Sequence, residues 1–136
     1  LHLPMLVNYL IVELMYLLLE ALCSTLEPKP KLVEQYCEPF SAASRIKLQC
    51  HYFLQNCFLQ ENQILDNMPT INHLPAIIIH GRYDMCTLLE GAWQLQQNWP
   101  SATLNVVRDA GHSAQEPATV DAIVRATREF AKMFSK

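Results

Sequence analysis

Two residues with the chemistry of a catalytic pair lie 28 positions apart, each in a turn that follows an apolar segment. Asp84 closes the run Ile77-Ile78-Ile79-His80-Gly81-Arg82-Tyr83-Asp84, and His112 stands in Ala110-Gly111-His112-Ser113. A carboxylate that fixes the tautomer of an imidazole lets the imidazole serve a nucleophile, first as general base and then as general acid. The pattern therefore predicts the acid and the base of a nucleophilic triad.

The elements around Asp84 and His112 predict that the two side chains meet. Three consecutive isoleucines indicate a fully buried strand, and Gly81 releases the backbone at its end. The segment 88–99 reads as a helix, and the segment 103–107 reads as a second strand. Such a crossover makes the strands parallel and brings their C-terminal ends to one edge, with the strands about 5 Å apart. We therefore expect Asp84 and His112 to come together at that edge.

Each of these residues also has a simpler interpretation. His112 suits the N-terminus of a helix, and Asp84 suits an Asx turn. Asp109 is nearer to His112 in sequence, but its place in the loop indicates a solvated turn residue. Ser113 lacks a base placed by sequence and is not predicted to be a nucleophile. His51, His73 and His80 share no metal-ligand spacing.

Several short motifs together carry a resemblance to one enzyme family. The sequence closely resembles the C-terminal part of proline iminopeptidases, which are serine peptidases of the α/β-hydrolase fold. The match extends from about Lys47 to Phe134 and is weaker between Tyr16 and Ile46. The motifs that carry it are His80-Gly81-Arg82-Tyr83-Asp84, Ala92-Trp93, Trp99-Pro100, Gly111-His112-Ser113 with Glu116-Pro117, and His51-Tyr52-Phe53 upstream.

The resemblance implies an α/β fold in two parts. Residues 1–74 correspond to helical segments of a cap, and residues 75–136 to the C-terminal part of the hydrolase core, in the order strand, helix, strand, helix with parallel strands. It also implies an enzyme that releases N-terminal proline from peptides, with Asp84 and His112 as catalytic residues. No cofactor and no metal belong to this chemistry.

The resemblance further implies a site that holds the free amino group of the substrate. Aligning the segment that begins at Glu20 with the family motif W-E-x-A-x-S-x-L puts one amine-binding carboxylate at Glu20. Aligning Lys47–Phe53 with R-I-E-N-H-Y-F puts the second at Gln49, where an amide replaces the carboxylate. The family's cysteine after the catalytic acid falls at Thr87, with Cys86 beside it. Substrate selectivity is the property that these departures affect most.

The nucleophile motif is missing from the sequence. A nucleophile elbow needs small residues around its serine, G-x-S-x-G in outline, because the strand-to-helix turn is sharp. Only three glycines occur, and none has a serine two residues away in that pattern. We therefore expect the C-terminal portion of a longer enzyme, whose missing N-terminal half supplies the serine and the oxyanion hole. The alternative is an inactive fragment or pseudoenzyme that acts as an interaction module.

Composition excludes several other functions. A net charge of −3 and a pI near 5.9, without a cluster of basic residues, argue against nucleic acid and anionic membranes as partners. The five cysteines show no C-x-x-C spacing, so neither a disulfide framework nor a zinc site is predicted. Reduced thiols fit a cytoplasmic protein. At 17% charged residues, some apolar surface is expected to meet absent partners.

The helical segments carry their own predictions. The apolar stretch from Leu3 to Leu26 contains acidic residues that are costly in a membrane, so we expect a helix buried on most sides rather than a membrane span. Its polar stripe has a simpler interpretation as a face exposed to water. That stripe consists of Tyr9, Glu13, Tyr16 and Glu20.

Two later helices are also predicted from pattern. The first covers 42–60, with Ser41 as its N-terminal cap. The second begins at Glu116-Pro117, since an acid and a proline suit the first turn of a helix. Its predicted packing face consists of Val120, Ile123, Val124, Phe130 and Phe134. Trp93 and Trp99 are expected to be packing anchors on the crossover helix.

Overall fold

A computed structural model of the chain describes the backbone of residues 3–135 and the side chains of residues 11–135. The chain divides into two compact units. The first contains the residues up to 22 together with 27–61, and the second contains 23–26 together with the residues from 62 onward. The division into a cap (1–74) and a core (75–136) stays a prediction.

The first unit is helical. Its helices are α1 (Leu3–Cys23), α2 (Pro30–Tyr36) and α3 (Pro39–Leu54), followed by a short 3₁₀ helix, Asn56–Phe58. Leu17 of α1 packs with Ala42 and Ile46 of α3, and these three side chains are buried. Helices α1 and α3 therefore each bury apolar side chains on the side that faces the other helix.

The prediction that α1 is buried on most sides is wrong. Among its described side chains only Leu17 and Ala21 are buried, whereas Val12, Met15 and Leu19 are each more than 60% exposed. The buried side is the one that meets α3, where small and branched residues allow close packing. The water-exposed interpretation of the polar stripe is also incomplete, because Glu13 and Glu20 are half-buried. The side chain of Tyr9 lies outside the described residues.

Helix α3 corrects two predictions. Its N-terminal cap is Glu38 rather than Ser41, because the Glu38 carboxylate accepts hydrogen bonds from the N–H groups of Ser41 (2.8 Å) and Phe40 (3.1 Å). These bonds, led by the one from the Ser41 amide, hold the pKa of Glu38 below its ordinary value. The helix ends at Leu54, not at residue 60, because the backbone enters the left-handed region at Asn56, Cys57 and Phe58 (φ 48°, 56° and 58°).

The second unit contains the predicted crossover. After α4 (Gln63–Asp66) and a second 3₁₀ helix (Met68–Thr70), β1 (Ala76–Gly81) pairs with β2 (Ala102–Val107) through α5 (Leu89–Gln97). The pairing is parallel, with Ala76 opposite Ala102 and Gly81 opposite Val107. The last helix is α6 (Pro117–Phe134). Both strands, the crossover helix and the parallel pairing are confirmed, with ends displaced by one or two residues.

The isoleucine strand is half-buried, contrary to the prediction of full burial. In the described residues the sheet has two strands, and one helix covers each face. Side chains alternate along a strand. Leu104 and Val106 therefore face Trp93 of α5 across a concave surface, while Val107 and Ile79 face α6. A two-stranded sheet leaves both outer edges uncovered, which explains the partial exposure of β1.

The predicted packing face of α6 is wrong at four of its five residues, and only Phe130 is half-buried. Val120, Ile123 and Val124 are 45%, 40% and 39% exposed, and Phe134 is 68% exposed. The buried residues of α6 are Thr119 and Ala122, and Ala122 packs with Val107 and Ala110. Small side chains let the helix approach the sheet closely, and the larger apolar residues are turned away. Trp93 is 48% exposed and is only a partial anchor.

No helix of the described residues is both long and apolar enough to cross a membrane.

Candidate active site

The turn after β1 holds Asp84 in a fixed orientation. The residue is 8% exposed, and its Oδ1 accepts hydrogen bonds from the N–H groups of Cys86 (2.9 Å) and Thr87 (2.8 Å). These two bonds form the Asx-type turn that was the simpler interpretation of Asp84. The Thr87 hydroxyl donates to the other oxygen, Oδ2, at 2.8 Å. The turn does not compete with a catalytic role, because it leaves Oδ2 directed away from the backbone amides.

His112 meets this second oxygen. Its Nδ1 lies 3.0 Å from Asp84 Oδ2 and 3.3 Å from Thr87 Oγ1. Since a carboxylate only accepts hydrogen bonds, Nδ1 carries the proton, and in the neutral ring Nε2 is the proton acceptor. The side chain of His112 is 38% exposed. The structure thus brings the two predicted residues together in the geometry of the acid–base half of a triad, while their catalytic roles stay predictions.

The loop that carries His112 is fixed by a second buried acid. Glu116 is 4% exposed, and its carboxylate accepts hydrogen bonds from Gly111 N (2.5 Å) and Leu26 N (2.8 Å). The Tyr83 N–H donates to Ala110 O at 3.0 Å, which joins the His112 loop to the Asp84 turn. Pattern reasoning gave Glu116 only a place in the first turn of α6. Its contacts with the loops depend on the tertiary fold.

Gly81 allows the two loops to approach each other. A Cβ built on Gly81 would lie 1.9 Å from Gly111 O and 2.7 Å from Ala110 O, both of them backbone atoms. A side chain of any size would therefore force the His112 loop away from the end of β1. The need for glycine here is steric, because no glycine of the described residues has a positive φ.

Electrostatics at the site favour a charged Asp84. Burial raises the pKa of its carboxyl, but this is outweighed by hydrogen bonds from the Thr87 amide, His112, the Thr87 hydroxyl and the Cys86 amide. The net result is a pKa below the ordinary value for aspartate. Asp84 is therefore ionised at neutral pH, as a residue that orients a histidine must be.

Two polar residues near Asp84 were missed as parts of the site. Thr87 contacts both Asp84 and His112, and its position three residues after the acid was the available signal, because short side chains at that spacing share turns. His80 has its Nε2 3.7 Å from Asp84 Oδ2, too long for a hydrogen bond, and its Nδ1 3.0 Å from Gly81 O. His80 has no metal-ligand spacing to the other histidines, so the sequence did not indicate its position beside Asp84.

The predicted amine-binding residues also contact each other, within the first unit. Gln49 Nε2 donates to Glu20 Oε1 at 3.1 Å and Oε2 at 3.3 Å. A carboxylate can only accept, so the amide turns its NH₂ group to Glu20. The amide oxygen of Gln49 is then buried without a hydrogen-bond donor, and so is one carboxylate oxygen of Glu13. Both residues line an apolar cavity of about 210 Å³ with Tyr16 and Phe53.

One set of side chains has metal-ligand chemistry. Among the described residues, Asp84, Cys86 and His112 offer a carboxylate oxygen, a thiol sulfur and an imidazole nitrogen within 4.8 Å of one another. All five cysteines are outside disulfides. The prediction that no metal site exists rested on the resemblance and on the spacing of cysteines and histidines, and spacing does not show a set formed by two separate loops.

Comparisons with known proteins agree with the α/β fold of the chain. Residues 29–119 match the family model of the alpha/beta hydrolase fold. The chain is 42% identical over 93 residues to a proline iminopeptidase of Xylella fastidiosa, and 44% identical over 86 residues to one of Xanthomonas citri. It is 35% identical over 99 residues to a proline iminopeptidase of Arabidopsis thaliana. These matches cover 68%, 62% and 72% of the chain but only 30%, 28% and 26% of the relatives. The chain belongs to the alpha/beta hydrolase fold family.

Proposed function

We propose that the chain is the C-terminal portion of a serine-type aminopeptidase that releases N-terminal proline from peptides. The observation that carries the proposal is the 3.0 Å contact between Asp84 Oδ2 and His112 Nδ1 at the C-terminal edge of two parallel strands. The similarity to proline iminopeptidases supports the substrate class. In this reaction His112 removes the proton from a serine and later delivers it to the leaving amine, while Asp84 holds the ring.

The nucleophile in this proposal comes from sequence outside these 136 residues, because the chain has no G-x-S-x-G motif. Without the serine of such an elbow, His112 has no nucleophile to deprotonate. Without an oxyanion hole, the charge that develops on the scissile carbonyl has no donors to stabilise it. The proposal therefore assigns binding and proton transfer to this chain and bond formation to its missing N-terminal part.

The amine anchor in this proposal is the contact between Glu20 and Gln49. A protonated secondary amine such as N-terminal proline carries two N–H donors. The charge of Glu20 and the buried oxygen of Gln49 that has no donor offer acceptors for such a group. The apolar cavity beside them suits the carbons of a small ring. Glu13 lines the same cavity and places a second carboxyl group there.

The experiment compares the chain alone with a hybrid protein. In the hybrid, the N-terminal part of a proline iminopeptidase such as that of Xylella fastidiosa precedes this chain. We expect release of arylamine from a prolyl arylamide by the hybrid and none by the chain alone. His112→Ala in the hybrid is expected to reduce kcat/KM by roughly 10³-fold or more.

Asp109→Asn is the matched control, since Asp109 is exposed and we place it outside the site. Turnover by the chain alone that disappears in His112→Ala would contradict the assignment of the nucleophile. An active hybrid that is insensitive to His112→Ala would contradict the assignment of the base.

A second candidate function is a non-catalytic interaction module. The observation that favours it is the exposure of large apolar side chains in both units, among them Phe40 (86%), Leu54 (81%) and Met85 (70%). Exposed apolar patches mark interaction surfaces. An inactive hybrid that has native-like secondary structure would favour this function over the peptidase.

A further inference from the structure

The three ligand-type side chains at the end of the sheet have a geometry close to that of a metal site. Asp84 Oδ2 and His112 Nδ1 are already 3.0 Å apart. Zinc binds oxygen and nitrogen at about 2.0–2.2 Å and sulfur at about 2.3 Å, which places neighbouring donors roughly 3.3–3.6 Å apart in a tetrahedron. The separations of the set do not exceed 4.8 Å. A shift of about an ångström in the Cys86 thiol would bring all three donor atoms to zinc-binding distances. Cys86 is exposed on a turn, so its side chain has room for this shift.

The surroundings of Asp84 already orient it as a ligand. Metal-binding carboxylates are held by hydrogen bonds from their neighbours, and these contacts raise metal affinity. The backbone amides of Cys86 and Thr87 occupy Oδ1 at 2.9 and 2.8 Å, so the carboxylate cannot rotate freely. The other oxygen, Oδ2, is held toward His112. Cys86 Sγ also lies 3.9 Å from Ser24 Oγ, and Ser24 is buried.

The donor set selects a class of cation. One sulfur, one nitrogen and one oxygen suit Zn²⁺ and Co²⁺, whereas Mg²⁺ and Ca²⁺ prefer shells of oxygen. Charge balance supports the same class, because an ionised Asp84 and a Cys86 thiolate together neutralise a divalent ion. When the ion binds, the S–H bond of Cys86 is replaced by a sulfur–metal bond, and one proton is released to solvent.

We propose that Asp84 Oδ2, Cys86 Sγ and His112 Nδ1 form a binding site for a zinc-type divalent cation whose occupation disables the catalytic pair. The metal and the proton compete for one place, since His112 Nδ1 cannot coordinate an ion and donate a hydrogen bond to Asp84 at the same time. The ring proton of the neutral imidazole then resides on Nε2, which removes the acceptor that a nucleophile needs. A bound ion therefore acts as a reversible inhibitor rather than as a catalyst, a consequence that rests on the proposed peptidase function.

The experiment titrates the hybrid protein with Co²⁺ in the presence of a phosphine reductant, and absorption spectroscopy reports the coordination. We expect one Co²⁺ per chain, with a thiolate-to-cobalt charge-transfer band that Zn²⁺ abolishes by displacement and that Mg²⁺ leaves unchanged. Cys86→Ser should remove the charge-transfer band, and both Cys86→Ser and His112→Gln should weaken metal binding at least tenfold. Retention of the band and of full affinity in Cys86→Ser would overturn the proposal.

Matched controls separate this site from the other cysteines and histidines. Cys57→Ser and His73→Gln change exposed residues of the same types elsewhere, and we expect an unchanged band and unchanged affinity. Loss of the band in Cys57→Ser would assign the metal to a different thiol and overturn the proposal. Because Cys86 is exposed, its replacement by serine removes little packing, and circular dichroism checks that the fold persists. Metal binding is read without substrate, so failure here leaves the proposed peptidase function unaffected.

Discussion

Gln49 is the residue at which, by the resemblance to proline iminopeptidases, an amide stands where a carboxylate is expected. An amide accepts a hydrogen bond from an ammonium without the help of a full charge, and charge-assisted bonds are roughly twice as strong. In the structure Gln49 also uses its NH₂ group to bind both oxygens of Glu20. The carboxylate of Glu20 therefore accepts hydrogen bonds from Gln49, which leaves fewer of its lone pairs for a substrate ammonium.

The exchange Gln49→Glu tests this arrangement in the hybrid protein. Two carboxylates would then face each other, and their repulsion is relieved when a substrate ammonium lies between them. We expect kcat/KM for a prolyl arylamide to rise about fivefold, the ratio that corresponds to about 1 kcal/mol between a charge-assisted and a neutral hydrogen bond.

Two further variants complete that test at the amine anchor. Glu20→Gln should lower kcat/KM more than Gln49→Ala does, because it removes the charge and not only an acceptor. Unchanged values in Gln49→Glu and Glu20→Gln, measured in the same assay, would contradict both assignments to the amine site.

Asp84 links the site to the stability of the second unit. Its pKa lies below the ordinary value because hydrogen bonds to its charged form outweigh its burial. The unfolded chain therefore binds a proton on this carboxyl at a higher pH than the native protein does. The resulting stabilisation is fully present above the ordinary pKa of about 4 and is lost as the pH falls through the lower native value.

Chemical unfolding of the hybrid and its Asp84→Asn variant measures this contribution. Near neutral pH the variant should be less stable by about 1.5–3 kcal/mol, the range for hydrogen bonds to a charged group. The difference in the free energy of unfolding should shrink in acid below a pH of about 4. A difference that is constant across this pH range would show that ionised Asp84 does not stabilise the fold.

At the scale of elements, the contact between β1 and the His112 loop depends on one small residue. Gly81 sits where Gly111 O would lie 1.9 Å from an added Cβ, so Gly81→Ala must displace one of the two backbones. Overpacking of this kind costs about 1–3 kcal/mol. In the hybrid we also expect a loss of activity, because the displaced loop carries His112 away from Asp84.

Gly91→Ala is the matched control for Gly81→Ala. Gly91 lies inside α5, and a Cβ there would have no atom within 4 Å. Alanine favours a helix over glycine by about 0.8–1.0 kcal/mol, so this variant should be stabilised or unchanged. Equal thermal midpoints and equal activities for the two variants would contradict the steric role of Gly81.

The crossover unit could be predicted from the sequence because several local signals agree. The isoleucine run indicates the first strand, Gly81 indicates its end, and the second apolar segment indicates the second strand. The helical crossover between the two strands fixes their parallel direction. The meeting of Asp84 and His112 follows from that direction. For this part of the chain, local pattern and tertiary structure require the same arrangement.

Other features depend on tertiary contacts that local pattern does not contain. The end of α3 is set by positive φ angles at Asn56, Cys57 and Phe58, none of which is glycine. The buried face of α6 is the one with small residues such as Ala122, because close approach to the sheet decides which face is used. The contacts of Thr87 with His112 and of Glu116 with Leu26 likewise join loops that are far apart in sequence.

At the scale of the whole molecule, the sheet of the second unit has, within the part of the chain that the structure describes, none of the further strands that normally flank a parallel pair. Parallel strands are normally covered on both faces and flanked by further strands. Here two strands leave unpaired backbone groups along both outer edges, and the large apolar residues of α6 are turned outward. The chain spans about 30% of the length of the proline iminopeptidases that it resembles.

We therefore predict that the chain alone self-associates, whereas the hybrid protein does not. Uncovered edges pair with other strands, and contiguous apolar surface drives association. Size-exclusion chromatography with light scattering should show oligomers or aggregates of the chain at micromolar concentration. Val120→Lys and Ile123→Lys on the exposed side of α6 should reduce its association, while Asp121→Lys, a charged site between them, should have less effect. A monodisperse monomer with a cooperative thermal transition would instead indicate a self-sufficient fold, and the apolar residues of α6 would then be ordinary surface.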